Sequence, residues 1–131
     1  MDEKIRGYIA LLGRIFLVLI FVLSGFNKIS NPQATQQYMG AMGMPMTGLF
    51  LIGAIFLELV GAASLLLGYW TRLGATMLII FMIPTTLIFH TNFSDPVQFI
   101  MFMKNLSMTG GLLVVLALGP GKLSLDGRGA T

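Results

Sequence analysis

An antiparallel bundle of four transmembrane helices, an all-α membrane fold, is what this sequence predicts, and three observations carry the prediction. Of the 131 residues, 56% are hydrophobic and only 10% charged, with a mean hydropathy of +0.87. A soluble domain is about 25% charged, because its surface must face water. Four segments come close to or exceed the roughly 20 apolar residues that a helix needs to cross a bilayer. The links between the later spans are short, which makes consecutive helices antiparallel neighbours. The length allows a single domain over residues 1–131 and no separate soluble module.

The first span is expected from about Tyr8 to Phe26, "YIALLGRIFLVLIFVLSGF". Its apolar run is too long for a cleaved signal peptide, carries Arg14, and ends in "SGFNK" rather than a small-x-small site, so it reads as a retained helix. The stretch from Asn27 to Met46 is the longest outside the spans and is expected to be an irregular or re-entrant loop. Its four methionines, Met39, Met42, Met44 and Met46, are soft thioethers that can bind Cu(I). With no cysteine and a single histidine in the chain, packing on the bundle or against lipid is the better reading, and no metal is assigned. The second span runs from Thr47 to Gly68 and the third from Leu73 to His90, joined by an interfacial link that holds Tyr69, Trp70 and Arg72. Pro84 removes the amide that would serve the Ile80 carbonyl, so the third helix has a natural place to kink. The fourth span, Val97 to Gly119, should start at Asp95-Pro96, where aspartate caps and proline suits the first turn.

Lys4, Arg6, Arg72, Lys122 and Arg128 fall at one side of the four spans, against Lys28 at the other, with Lys104 there or within the span. The excess of lysine and arginine places both termini on the cytoplasmic side, and a bacterial inner membrane is the expected location. The absence of cysteine excludes disulfides, thiolate nucleophiles and cysteine-ligated iron–sulfur clusters. The net charge of +3 is not gathered into a basic face, so nucleic acid is not an expected partner; the lipid bilayer is. A homo-oligomer is allowed, since one small bundle offers little room for a path across the membrane.

Ionisable groups inside a membrane are costly and are expected to face the bundle interior. Here they are Arg14, Glu58 and Lys104, with Lys28 and His90 nearer the outer ends. Glu58 stands alone in "LIGAIFLELVGAASLLLG", flanked on its own face by Gly61 and Ala62, which let another helix approach. By depth, Arg14 is its expected ion-pair partner. Lys28, His90, Lys104 and Asn105 gather in the non-cytoplasmic half, a set suited to binding an anionic or carbonyl-bearing ligand or to moving protons. The plainer alternative is that these groups only fix helix register, snorkel to the interface, or cap a helix end.

Taken together these segments resemble the DoxX family of small four-helix membrane proteins. The likeness is carried by "GRIFLVLIFVLSGFNKI", "LELVGAASLLLGYWTRLGA", "FHTNF", "FMKNLSMTGGLLVVL" and "GPGKLSLD", in that order and over nearly the whole chain. The resemblance implies a polar set of Arg14, Lys28, Glu58, Arg72, His90, Lys104 and Asn105. It also implies association with membrane oxidoreductases, including a thiosulfate:quinone oxidoreductase, and with oxidative-stress resistance, although many members have no established activity. A quinone-linked membrane subunit is therefore the expected function, with no covalently bound cofactor, a quinone as ligand, and a redox partner protein or external donor as electron source. The sequence holds no dinucleotide-binding fingerprint, and one histidine rules out a bis-histidine haem. Two alternatives stay open: a carrier for a small anion or weak acid, and a non-catalytic membrane assembly protein.

Overall fold

The computed structural model describes residues 1–127, so Arg128, which the charge count placed on the cytoplasmic side, lies outside the described residues. Five helices follow one another: α1 (Glu3–Ser30), α2 (Pro32–Ala41), α3 (Thr47–Leu67), α4 (Thr71–Phe89) and α5 (Pro96–Leu118). Four of them, all but α2, are long and apolar enough to cross a membrane, which makes this a multi-pass membrane protein.

The element bounds differ from the expected ones in ways local chemistry explains. α1 begins at Glu3, because Asp2 accepts a hydrogen bond from the Lys4 amide and caps the helix. Its 28 residues run to Ser30, four residues past Phe26. The expected irregular loop contains α2, which starts at Pro32, a residue pre-set for the first turn of a helix. Its mixed polar and apolar composition hid it from a search for spans. The α3–α4 link is shorter than expected: α3 stops at Gly68, in the left-handed region at φ +66°, and α4 starts at Thr71, so Arg72 lies in its first turn. α5 starts where expected, with Asp95 accepting from the Val97 amide at 3.0 Å. α4 runs unbroken through Pro84; the Thr85 and Thr86 hydroxyls donate to the carbonyls of Phe81 and Met82, both at 2.7 Å.

In space the spans pack in the order α1, α3, α4, α5, while α5 touches α1 only lightly. The core runs through all four as Val18 and Phe21, Ala62 and Leu65, Ala75, Leu78 and Met82, and Leu112. α3 and α4 approach closely because of glycine. A Cβ at Gly61 would stand 2.8 Å from the Leu78 side chain and 3.1 Å from the Gly74 carbonyl oxygen. α5 buries a single residue fully, Leu112, and presents a broad apolar surface outward.

Candidate functional site: a cavity beneath a buried ion pair

A cavity of about 1190 Å³ occupies the half of the bundle that contains the C-terminal end of α1 and the start of α5. All five helices contribute to its wall. Aromatic rings and methionines are prominent, among them Phe21, Tyr38, Phe50, Phe81, Met82 and Met108, and the polar side chains, a minority, include Ser24, Asn27, Lys28, Glu58, His90 and Asn105.

Lys28 lies in the last turn of α1. Side chains tilt toward the N-terminus of their helix, so this one leans back into the bundle instead of out to the interface. Its Nζ donates to Ser24 Oγ, one turn earlier, at 2.7 Å and stands 5.4 Å from the centroid of the Phe81 ring. It also reaches Glu58 Oε1 at 2.6 Å. The angles at that contact fall outside hydrogen-bond geometry, and neither Glu58 oxygen has an aligned donor. The interaction is thus a close charge pair, and the distance argues for it more strongly than the angles argue against it. The Glu58 side chain is 1% exposed and that of Lys28 18% exposed, so the lysine is the half of the pair that a ligand can touch.

The expected Arg14–Glu58 pair does not form. Arg14, 2% exposed, donates through Nη1 to the Leu65 carbonyl at 2.6 Å and to the Leu66 carbonyl at 3.3 Å, and through Nη2 to the Leu123 carbonyl. The last turn of α3 leaves carbonyls without helical donors and gathers the negative end of the helix dipole. The planar fork of Arg14 meets two carbonyls of that turn, Leu66 and Leu65, the latter shared with the Gly68 amide, together with the Leu123 carbonyl. Glu58 lies about 10 Å back along α3 from Leu65 by the helical rise, within the reach of Lys28.

Around Arg14 the chain after α5 is tied to the α3–α4 turn. The Leu125 and Asp126 amides donate to the carbonyls of Leu67 and Gly68 at 3.1 and 2.7 Å. Asp126 accepts from the Trp70 amide at 3.0 Å, and from the Thr71 amide and hydroxyl at 2.8 Å each, which caps α4 from 55 residues away. The Thr71 amide above all, then its hydroxyl, the Trp70 amide and the Arg14 charge, hold the Asp126 carboxyl below the usual carboxylate range against the opposing effect of burial. Trp70 is held in the left-handed region at φ 53° by that bond and by Ser64 Oγ, which donates to the Trp70 carbonyl at 3.0 Å. The residue is 60% exposed, as an interfacial aromatic should be. Arg72, also exposed, donates to the Leu116 carbonyl of α5 at 3.0 Å.

The other candidates separate. Asn105 lies on the cavity wall and donates to Thr86 Oγ1 at 3.0 Å, joining α5 to α4. His90 stands at the outer rim with Nδ1 3.1 Å from Gln98 Oε1. Lys104 is not on the cavity wall: it is exposed, one residue and so about 100° round the helix from Asn105. Sequence reasoning passed over Ser24, Tyr38 and Phe81. Ser24 was legible as the i−4 neighbour of Lys28; Tyr38, which stacks on Phe89 with centroids 5.1 Å apart, belongs to the helix that was not foreseen.

The DoxX family model matches residues 9–91, more than half of the sequence and the part that carries both Lys28 and Glu58. The chain belongs to the DoxX family. It is 40% identical over 124 residues to the inner membrane protein YqjF of Escherichia coli, covering 95% of this chain and 94% of that one. It is 37% identical over 128 residues to the inner membrane protein YphA of the same organism, covering 94% and 91%. A more distant likeness, 29% over 132 residues, links it to the Surfeit locus protein 4 homolog of Drosophila melanogaster; there it spans 95% of this chain and 42% of the other. No solved structure matches. Within this DoxX chain the polar set splits by position. Arg14 and Arg72 bind helix ends at one face of the bundle, while Lys28, Glu58, His90 and Asn105 surround the cavity toward the other.

Proposed function

We propose that this DoxX protein binds a quinone in the cavity and serves as a quinone-linked membrane subunit of an oxidoreductase or oxidative-stress system. The observation that carries the reading is the partly accessible Lys28 ammonium, backed by a fully buried carboxylate, on the wall of a large and mostly apolar cavity. An ammonium has three donors. Ser24 takes one and Glu58 attracts a second, which leaves one for a ligand carbonyl. Phe21, Phe81 and the methionines suit a flat ring and a flexible apolar tail. As charge builds on a reduced carbonyl oxygen, Lys28 is the group placed to stabilise it. A quinone supplies the two-electron chemistry; electrons reach it from a partner protein or a soluble donor.

The arrangement gives less support to a small-anion carrier. Glu58 already neutralises Lys28, and Lys104 is not on the cavity wall, so among the described residues no cluster of free cations lines the cavity to await an anion. The names of the two Escherichia coli relatives support an inner-membrane location. The basic residues Lys4, Arg6, Arg72 and Lys122 support the end of the bundle that holds both termini as the cytoplasmic one.

The test is quinone binding to the protein in lipid nanodiscs, by mass spectrometry of bound lipids with and without added ubiquinone. Wild-type protein should carry about one quinone per chain, and Lys28→Met should carry none while the double variant Lys28→Met/Glu58→Gln, freed of the orphaned charge, confirms that the bundle is intact. Wild-type protein that takes up no added quinone overturns the reading.

A further inference from the structure

Lys104 leads from the cavity to its opening. It sits about 12 Å into α5 from Pro96 by the helical rise, exposed, and no hydrogen bond or ion pair of its side chain occurs among the described residues. Seven residues further on, along the same stripe of the helix, is Gly111. Gly111 is where α5 meets α1: a Cβ there would stand 3.3 Å from the Leu17 side chain. Lys104 therefore lies on the edge of α5 that turns toward α1, but about 10 Å nearer the outer end. There α1 does not cover it. Leu17 has its own counterpart seven residues on, Ser24, which is on the cavity wall. The two helices meet at Leu17 and Gly111 and share little other contact. Ile20 on α1 and Met101 on α5 both line the cavity, yet they are 50% and 40% exposed. The cavity thus reaches the outer surface of the bundle between these two spans, at a depth where that surface faces lipid.

We infer that the gap between α1 and α5 is a lateral portal through which a membrane-dissolved amphiphile passes into the cavity, with Lys104 at its lip as the contact for a carbonyl or anionic head. This rests on the cavity being a ligand site, as proposed above, and adds the source and class of the ligand: it comes from the bilayer, not from water. It also accounts for a lysine in an otherwise apolar, lipid-facing stretch with Ile100, Met103 and Leu106, where an ammonium without a partner is costly. At the edge of an opening the ammonium meets water and polar heads.

The cysteine-free chain allows a direct test that needs no quinone. Ala54 lies on the cavity wall of α3, across from the gap, and is partly buried. In protein reconstituted into liposomes, Ala54→Cys should react readily with an N-alkyl maleimide dissolved in the lipid and slowly with a charged, water-borne methanethiosulfonate. Filling the gap with Ile20→Trp/Met101→Trp should slow the alkyl maleimide by roughly tenfold, about 1.4 kcal/mol of barrier. A cysteine at the lipid-exposed Leu113 should react at an unchanged rate in the same filled protein, which controls for folding and reagent concentration. Lys104→Met should slow an alkyl maleimide that bears a carboxylate head and leave the neutral one unchanged. An alkyl rate that the two tryptophans do not alter, or a charged reagent that reacts as fast as the alkyl one, overturns the portal. A carboxylate reagent indifferent to Lys104→Met overturns the assignment of the lysine. Failure of quinone binding would remove the quinone reading while leaving these labelling rates to decide the portal.

Discussion

Glu58 shows why a buried charge has to be judged with its partner. Its side chain is 1% exposed, and among the described residues no aligned donor reaches it and the one cation within range is Lys28 at 2.6 Å. Removing one member of such a pair leaves the other charge in a low-dielectric interior, which costs about 3–5 kcal/mol, whereas removing both is often nearly neutral. Lys28→Met alone should therefore lower the detergent melting temperature strongly, and Lys28→Met/Glu58→Gln should recover most of the loss. A double variant no more stable than the single one would show that the pair is not an isolated unit. Arg14 is a second residue whose role its neighbours decide. Arg14→Lys keeps the charge but loses the planar fork that spans the Leu65, Leu66 and Leu123 carbonyls, so it should destabilise nearly as much as Arg14→Leu. A lysine variant that melts with wild type would refute that geometric account.

Helices here are held at their ends by parts of the chain remote in sequence. Asp126 caps α4 through the Trp70 and Thr71 amides, and the bonds it accepts depress its pKa. A carboxyl whose folded pKa lies below its unfolded value, near 3.9 for aspartate, adds stability that is fully present above the unfolded value. That stability is lost as pH falls through the lower folded pKa. Protease cleavage after α5 should consequently rise below about pH 4 in wild-type protein. Asp126→Asn, which still offers one oxygen to the amides, should be cut at a rate that barely changes with pH over that range. A wild-type cleavage rate flat across the same window would contradict the cap. The α3–α4 seam makes a different demand, for closeness. Gly61→Ala would push a methyl group into Leu78 and the Gly74 carbonyl, an overpacking that costs about 1–3 kcal/mol and should appear as a lower melting temperature.

For the whole molecule, four spans return the chain to the side on which it started, and the Glu3–Lys122 ion pair joins the two ends there. If that side is cytoplasmic, single cysteines at Lys4 and Lys122 should be protected from an impermeant thiol reagent in intact cells and react after lysis. A cysteine at Thr91, beyond the other end of α4, should react without lysis. The reverse pattern would invert the orientation. The bundle is closed tightly on the side of the termini, where the tail threads between helix ends, and loosely toward the other, where α1 and α5 part around the cavity. That asymmetry confines the cavity to one half of the bundle.

Much of this was open to the sequence by itself. Composition and apolar run length determined four spans, because no other structure satisfies every backbone group in hydrocarbon. Asp95-Pro96 and Gly68 marked helix ends, since capping and the left-handed turn depend on a few adjacent residues. The polar set of the interior could also be named, because an ionisable group among apolar residues is visible one residue at a time. Which groups meet was decided only by tertiary structure. Depth pointed to Arg14 as the partner of Glu58, and Lys28 takes that place because the carbonyls at the end of α3 hold Arg14 and the Lys28 side chain tilts back along α1. Asn105 faces the cavity and Lys104 its opening because of how α5 is rotated against α1. Rotation and splay come from contacts such as Gly111 with Leu17, between residues 94 positions apart, and a linear pattern of hydropathy contains nothing that fixes them.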